Sequence, residues 1–162
     1  MADILVATTG GTIDKVYFDA LSEFKIGQSV VRELLREAHV DIDYDIVEIC
    51  RKDSLDITDS DRLLIKTTIE QQPHRKVVVT HGTDTMTQTA SVLSTIQDKT
   101  IVLTGSLSPA RFAQTDATFN VGMSFSAVQT LSLGIYIVMS GQVFDALKVR
   151  KDRKNNRFIA LK

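Results

Sequence analysis

Residues 76–96 read KVVVTHGTDTMTQTASVLSTI and contain, in order, a strand, a polar turn and a helix. The run Lys76–Thr80 is short and continuously apolar at its centre, which is typical of a strand buried on both faces. Residues 85–96 predict the helix that follows. Because a strand that leads into a helix reaches its parallel neighbour through a crossover connection, this unit predicts an α/β fold.

The same alternation of strand and helix extends in both directions along the chain. Further strands are predicted at residues 4–7, 44–49, 100–104 and 134–139, and further helices at residues 28–38, 58–71 and 117–131. We therefore expect an open, mostly parallel sheet with helices on both faces. Two short strands, at residues 143–149 and 157–161, flank a polar turn and predict a terminal β-hairpin. A chain of 162 residues fits one domain, expected to span residues 1–162.

Charge and composition exclude several classes of partner. Nineteen Lys and Arg against twenty Asp and Glu give a formal net charge of -1, so no positive field favours nucleic acid. No apolar stretch reaches the roughly 18 to 20 residues that cross a bilayer. The N-terminus lacks a basic start with a long hydrophobic run, so we expect a cytoplasmic protein without membrane contact. The single cysteine, Cys50, has apolar neighbours and predicts a buried strand thiol.

Polar clusters follow several of the predicted strands. They lie at residues 8–12, 53–54, 81–85 and 105–108. In an open α/β sheet, ligands bind beyond the carboxyl ends of the strands, where loop amides and helix N-termini converge. We therefore expect these clusters to meet at one edge of the sheet and to form a site for a small molecule.

Two of these clusters place glycine beside hydroxyl and carboxylate groups. In the first, Gly10 and Gly11 precede Thr12, and a backbone without Cβ atoms can approach a ligand closely. In the second, Thr83 and Asp84 stand just before a helix, where such residues commonly act as N-terminal caps. Neither a dinucleotide-binding nor a P-loop pattern occurs, and no His, Cys or carboxylate spacing predicts a metal site. We expect no cofactor and no metal.

Taken together, the two clusters resemble a known enzyme family. Residues 9–13 read TGGTI and residues 81–86 read HGTDTM, in the order and separation of the two signatures of bacterial-type L-asparaginases. The resemblance continues through residues 102–106, 116–120 and 138–151, and so covers essentially the whole chain. It implies an amidohydrolase that converts L-asparagine to L-aspartate and ammonia through a threonine acyl-enzyme.

The resemblance also implies catalytic roles. Thr12 corresponds to the primary nucleophile, and Tyr17, the only tyrosine in the following loop, to the residue that transfers its proton. Thr83 and Lys151 correspond to the family's second threonine and its lysine partner, a pair suited to activating water. The loop at residues 14–27 is expected to close over substrate as a mobile lid.

A substrate pocket follows from the same resemblance. Asp84 corresponds to the carboxylate that binds the α-ammonium group, and Ser54 to the serine that binds the α-carboxylate. The backbone carbonyl of Ser106 corresponds to the acceptor for the leaving amide, whereas His81 is expected to be structural. The full set of expected substrate-binding residues is Gly11, Asp53, Ser54, Gly82, Thr83, Asp84 and Ser106.

Two departures from the family pattern affect the expected activity. Long members carry a smaller second domain that sends an amide and a carboxylate into a neighbouring subunit, and we expect the present sequence to lack it. Leu55 replaces a polar residue of the family's pocket, so we expect weak substrate affinity. A homo-oligomer, a dimer or larger, is expected, with Asp19 and Glu23 as candidates for supplying a carboxylate near Tyr17.

Three other interpretations of the sequence remain. The chain could be a glutaminase or another amidohydrolase, including the branch of transfer-RNA amidotransferases. It could be a non-catalytic module that binds an amino acid without turnover. It could also be a fragment of a longer enzyme with no independent function.

Overall fold

The structure, a computed structural model, describes residues 2–162 and consists of fourteen helices and strands besides short 3-10 turns. In chain order they are β1 (Ile4–Gly10), β2 (Lys15–Phe18), β3 (Glu23–Ile26), α1 (Val31–Glu37), β4 (Tyr44–Lys52), α2 (Asp59–Gln71), β5 (Lys76–Thr80), α3 (Met86–Leu93), β6 (Thr100–Thr104), α4 (Ala117–Thr130), β7 (Gly134–Met139), β8 (Gln142–Asp145), β9 (Val149–Asp152) and β10 (Arg157–Ala160). No helix among residues 2–162 combines the length and apolar character needed to cross a bilayer.

The central sheet has the strand order β4-β1-β5-β6-β7-β8. Its first five strands are mutually parallel, and β8 is antiparallel to β7. The predicted open, mostly parallel α/β sheet is therefore confirmed. Because parallel strands end at the same edge, the loops that follow β1, β4, β5 and β6 lie side by side.

Both faces of the sheet are buried, as the continuous apolar runs predicted. In β5, Val77 and Val79 pack into one hydrophobic cluster with α2 and α3, whereas Val78 packs into a second cluster with α1 and α4. All three valines are fully buried. Alternate side chains of each central strand thus supply two separate cores, which requires helices on both faces.

Helix α2 shows how local sequence sets an element boundary. The Thr58 hydroxyl accepts a hydrogen bond from the Asp61 amide, and the Asp61 carboxylate accepts one from the Thr58 amide, which forms a capping box. The helix ends at Gln71, two residues before Pro73. This fits the preference of residues before proline for extended backbone.

Two segments differ from the sequence predictions. The predicted strand at residues 143–149 is divided, because Gln142–Asp145 folds back on β7 through Ser140 and Gly141, both of which have positive φ. The predicted terminal hairpin is confirmed, and its two strands are β9 and β10. The predicted loop at residues 14–27 contains a second hairpin, β2–β3, whose short, exposed strands lack the apolar periodicity that marks a buried strand.

Cys50 lies in strand β4 as predicted, but it is partly buried rather than buried. Its Sγ donates a hydrogen bond to the Thr9 carbonyl oxygen at 3.3 Å. Desolvation by burial raises the pKa of Cys50 to about 11. The side chain is therefore a neutral thiol at physiological pH and supports the loop that leads to Thr12.

Candidate functional site

The loops after β1 and β5 touch through two glycines. Gly11 has a φ of +91°, and a Cβ atom at this position would collide with the backbone of Gly82. Only glycine fits there, because both the backbone conformation and the space exclude a side chain. Thr12, which is partly exposed, and the buried Thr83 follow these two glycines directly. The expected convergence of the two threonine-bearing turns is therefore present.

The loop after β4 packs against the same point. A Cβ atom on Gly82 would lie 2.6 Å from the Ser54 Cβ, and the Thr85 hydroxyl donates to the Ser54 carbonyl oxygen at 2.6 Å. Ser54 begins a 3-10 turn in which the Asp53 side chain accepts a hydrogen bond from the Leu55 amide at 3.1 Å. Ser54 is 2% exposed, so its hydroxyl is held close to Gly82 rather than in open solvent.

Lys151 reaches this edge from the terminal hairpin. Its Nζ donates to the Thr83 hydroxyl at 2.6 Å and to Asp84 Oδ1 at 2.8 Å. Arg153 lies further out, with its Nε 3.9 Å from Asp84 Oδ1. The Lys151 side chain is 10% exposed, so its ion pair with Asp84 is shielded from solvent on most sides. A hydroxyl, a carboxylate and an ammonium group thus form one contact triad.

The alternative role of Thr83 and Asp84 as helix caps is wrong. Helix α3 begins at Met86 with Thr85 as its N-cap residue, and no side chain caps it by a hydrogen bond. Thr83 and Asp84 instead bind Lys151, 68 and 67 residues away along the chain. Their position before a helix is a consequence of the fold and does not explain their chemistry.

The loop after β6 completes the cluster. A Cβ atom on Gly105 would collide with the carbonyl oxygen of His81, and the Ala110 amide donates to the Ile13 carbonyl oxygen at 3.0 Å. Ser106 is 1% exposed, and its hydroxyl donates to the Ser108 carbonyl oxygen. The loop that carries Ser106 therefore contacts both of the segments that carry Thr12 and Thr83.

His81 has the structural role that the sequence analysis expected. It is fully buried, with Nδ1 2.7 Å from the Gly82 carbonyl oxygen and Nε2 2.8 Å from the Thr89 hydroxyl. A carbonyl only accepts, so Nδ1 carries the proton and Nε2 accepts from Thr89. Desolvation by burial lowers the pKa of His81 to about 4. The imidazole is thus neutral at physiological pH and supports the loop.

Tyr17 lies in the β2–β3 hairpin, outside the cluster of loops. Its side chain is 54% exposed, and its ring packs edge-on against Phe24 with centroids 5.4 Å apart. Phe24 in turn packs against Phe112 in the loop after β6, at 5.8 Å. The hairpin therefore packs against a loop of the site through Phe24. Tyr17 itself contacts an aromatic ring. Its role in proton transfer stays a prediction.

Two residues at the base of this hairpin, Asp14 and Lys15, were not identified by the sequence analysis. The buried Asp14 accepts a hydrogen bond from the Val30 amide at 3.1 Å, and desolvation by burial raises its pKa to about 6. Lys15 Nζ lies 3.3 Å from Asp53 Oδ2. The one available signal was the position of both residues directly after the TGGTI motif. Together they join the hairpin to α1 and to the Ser54 turn.

Of the expected site residues, all but Tyr17 and Lys151 belong to one contiguous group of loops, which Lys151 contacts from the terminal hairpin. Contacts link Gly11, Gly82, Ser54, Thr83, Asp84 and Lys151. Among residues 2–162, no group of three or more His, Cys, Asp or Glu side chains is arranged to hold a metal ion. The donor set consists of hydroxyls, one ion pair and backbone amides, which suits a polar organic molecule with charged groups.

Sequence comparison identifies relatives with known names. The family model described as "Asparaginase, N-terminal" matches residues 3–160. A Bacillus licheniformis L-asparaginase is 30% identical over 94% of this chain and 51% of its own length. A glutaminase-asparaginase of Acinetobacter glutaminasificans is 39% identical over 46% of this chain and 24% of its own. One subunit of the glutamyl-tRNA(Gln) amidotransferase of Methanococcus vannielii is 33% identical over 50% of this chain and 21% of its own.

Solved structures show the same relationship. L-asparaginase I of Vibrio cholerae superposes with a TM-score of 0.85 at 25% identity, over 98% of this chain and 51% of that one. The L-asparaginase of Thermococcus kodakarensis gives a TM-score of 0.83 at 25% identity, over 97% and 50%. The chain thus spans about half of these structures, and between 21% and 51% of the length of the named relatives. It belongs to the asparaginase family and corresponds to the family's N-terminal domain.

Proposed function

We propose that this chain carries the catalytic site of an amidohydrolase that converts L-asparagine to L-aspartate and ammonia. The observation that carries the proposal is the contact triad of Lys151 with Thr83 and Asp84, placed beside the glycine contact that precedes Thr12. Family membership supports the same chemistry. We propose that the 162 residues act as one catalytic domain.

The proposed reaction has two steps. The Thr12 oxygen attacks the side-chain amide carbon, and its proton goes by way of Tyr17 to the nitrogen, which leaves as ammonia from an acyl-enzyme. A water molecule oriented by Thr83 then attacks the ester carbon, the bond from that carbon to the Thr12 oxygen breaks, and one proton of the water passes to that oxygen. Lys151, which donates hydrogen bonds to both Thr83 and Asp84, polarises the Thr83 hydroxyl and stabilises negative charge in this second step.

Substrate recognition is proposed at Ser54 and Asp84. Ser54 and nearby backbone amides would bind the α-carboxylate, and Asp84 Oδ2 would bind the α-ammonium group. Lys151 already neutralises Asp84 through Oδ1, with Arg153 at 3.9 Å. Leu55, 65% exposed, brings no polar group to help. We therefore expect weak affinity for the free amino acid.

A homo-oligomer, a dimer or larger, is proposed as the active form. The β2–β3 hairpin exposes the apolar side chains Tyr17, Phe18, Leu21 and Phe24, which a second subunit would cover. Asp19 and Glu23 lie in the same hairpin and are the proposed carboxylates supplied near Tyr17 of another subunit. Activity from a strictly monomeric chain at assay concentration would contradict this part of the proposal. The cytoplasm is the proposed compartment, in line with a single cysteine.

Glutamine is the second candidate substrate. The name of the Acinetobacter relative joins glutaminase to asparaginase activity, and that of the Methanococcus relative refers to an amidotransferase acting on glutamyl-tRNA. Both substrates carry the same α-amino and α-carboxylate groups and differ by one methylene. The orientation of Thr12 relative to the amide carbon therefore decides between them.

The proposal is tested by ammonia release from L-asparagine and L-glutamine by the purified chain. Thr12→Ala should lower kcat by at least roughly 10³-fold, while Thr12→Ser, which keeps a hydroxyl, should retain measurable turnover. Circular dichroism would show that both variants fold. Turnover unchanged in Thr12→Ala would exclude the nucleophile. Calorimetric binding of L-aspartate without any ammonia release would identify a non-catalytic amino-acid-binding module instead.

A further inference from the structure

A polar cluster, formed by the partly buried Asp116 and the buried Asn120 at the start of α4, lies behind the loop after β6. Asn120 is fully buried. Its Nδ2 donates to the Gly105 carbonyl oxygen and to Asp116 Oδ2, both at 2.9 Å. Its Oδ1 accepts from the Ser140 amide at 3.0 Å. One side-chain amide therefore connects the loop after β6 to the turn after β7.

The Asp116 side chain binds backbone amides of the same loop. Its carboxylate accepts hydrogen bonds from the Leu107 amide at 2.9 Å and from the Ser108 amide at 3.0 Å. Residues 105–108, which we call the Ser106 turn, are thus bound at three backbone positions by two side chains of one helix turn. Because the backbone of α4 fixes the spacing between these two side chains, the position of the Ser106 turn depends on the position of α4.

The Ser106 turn borders the segments that carry both threonines. Gly105 packs directly against the His81 carbonyl oxygen, two residues before Thr83. Further along the same loop, the Ala110 amide binds the Ile13 carbonyl oxygen, one residue after Thr12. A displacement of this turn would therefore disturb contacts made by the segments that carry Thr12 and Thr83.

The hydrogen bonds of Asn120 favour a single orientation of its side-chain amide. Both Nδ2 protons and Oδ1 have partners, and a buried amide that loses a partner carries the full cost of desolvation. Such satisfied buried networks specify a single geometry for the loops they connect. The same number of hydrogen bonds could not form if the Ser106 turn moved away from the turn after β7.

We propose that Asn120 is a positioning residue for amide hydrolysis, which holds the Ser106 backbone carbonyl where the departing amide nitrogen needs an acceptor. This inference rests on the proposed function. Asn120 acts through the turn and does not touch substrate. Its loss lowers kcat more than it raises KM, because the Ser106 carbonyl meets only the leaving group, whereas Ser54 and Asp84 bind the rest of the amino acid.

The test compares Asn120→Ala and Asn120→Asp with Ser124→Ala in the full chain. Ser124 is the matched control, because it is fully buried on the same helix and its hydroxyl binds only the Asn120 backbone carbonyl, at 2.8 Å. Both Asn120 variants should lower kcat by roughly 10- to 100-fold, the effect of a small misplacement of a reacting group, with KM within about threefold. Ser124→Ala should stay within about threefold of the parent in both constants.

Asn120→Asp adds a readout that a general loss of stability would not produce. Of the described side chains hydrogen-bonded to Asn120, that of Asp116 carries the one titratable group. The introduced carboxyl, when protonated, can still donate to the Gly105 oxygen, whereas its ionised form repels both this oxygen and Asp116. The ratio of variant to parent kcat should therefore fall by roughly tenfold as the pH rises from 6 to 8, because burial beside a second carboxylate raises the pKa of the introduced acid.

The result that overturns the proposal is a kcat for folded Asn120→Asp within threefold of that for Ser124→Ala at both pH values. If Asn120→Ala does not fold, Asn120→Asp, which keeps the side-chain size, carries the same comparison at pH 8. If the parent chain releases no ammonia, the proposed function fails, and amide hydrogen exchange decides about Asn120. Exchange of the Leu107 and Ser140 amides roughly tenfold faster in the Asn120 variant than in Ser124→Ala would support the positioning role, and unchanged exchange would end it.

Discussion

The ammonium group of Lys151 lies 2.6 Å from the hydroxyl of Thr83, although 68 residues separate them along the chain. The terminal hairpin β9–β10 supplies the lysine, and the loop after β5 supplies the threonine. The same ammonium binds Asp84 at 2.8 Å. The folding of the last fourteen residues from Val149 to Lys162 is therefore a condition for assembling the site.

Lys151→Met should abolish most of the proposed activity without unfolding the chain. It removes the donor that polarises Thr83 and leaves Asp84 with Arg153 as its remaining cation. We expect kcat to fall by roughly 10²- to 10³-fold, as for removal of one donor in a preorganised site. The control is Lys148→Met, because the Lys148 side chain is 77% exposed and pairs only loosely with Asp145 at 3.8 Å. Equal activities of the two variants would show that the ion pair between Lys151 and Asp84 takes no part in the reaction.

Gly11→Ala should destabilise the chain and stop turnover, whereas Gly122→Ala should do neither. Gly11 combines a φ of +91° with no space for a Cβ atom, and Gly122 lies in α4 with nothing within 4 Å of its Cβ position. We expect a loss of at least about 2 kcal/mol in the free energy of unfolding for Gly11→Ala. Gly122→Ala should be neutral or gain up to about 1 kcal/mol. Urea denaturation measures both, and a fully stable Gly11→Ala would contradict the close contact with Gly82.

Asp14 should make the stability of the chain fall as the pH rises from about 4 to about 6. Burial raises its pKa in the folded state from 3.8 to about 6. In that interval the folded state binds more protons than the unfolded state, so the slope of unfolding free energy against pH is negative. The effect amounts to roughly 2 to 3 kcal/mol at most, and it is fully developed above about pH 6.

Asp14→Asn removes this titration and keeps an oxygen for the Val30 amide. Relative to the parent, this variant should therefore gain stability between pH 4 and pH 7, measured as the difference in urea unfolding free energy. Asp41→Asn serves as the control, because Asp41 is exposed in the segment before β4. Parallel stability curves for parent and Asp14→Asn would show that the buried carboxyl titrates normally.

Thr89→Val should weaken the fold and leave the pH profile of activity above pH 6 unchanged. The substitution removes the hydroxyl that donates to His81 Nε2, so a buried acceptor loses its partner at a cost of about 1 to 3 kcal/mol. His81 is neutral down to a pKa of about 4, so it should contribute no titration near neutral pH. A shift of the activity profile between pH 6 and pH 8 would instead indicate that His81 takes part in proton transfer.

The hydrophobic pattern predicted the five parallel strands and the four helices, because their side chains are buried in two cores. The two glycine-rich motifs also indicated where the site lies, since glycine beside Thr12 and Thr83 follows from contacts that exclude any side chain. The pattern failed at β2 and β3, whose exposed side chains carry little apolar signal. It also merged β8 and the start of β9 into one predicted strand, whereas β8 pairs with β7 through a two-residue turn of Ser140 and Gly141.

Sequence alone determined the α/β sheet and the placement of polar clusters at strand ends. Both can be predicted locally, because buried strands are continuous apolar runs and the loops that follow them are short polar segments. Tertiary structure decided between capping of α3 and the pairing of Thr83 with Lys151 that the family resemblance implied, and it added Asp84 to that pair. It also decided that Asn120 joins the loops after β6 and β7. These relationships depend on hydrogen bonds between segments that are distant in sequence, and such bonds leave no periodic pattern in the residues that form them.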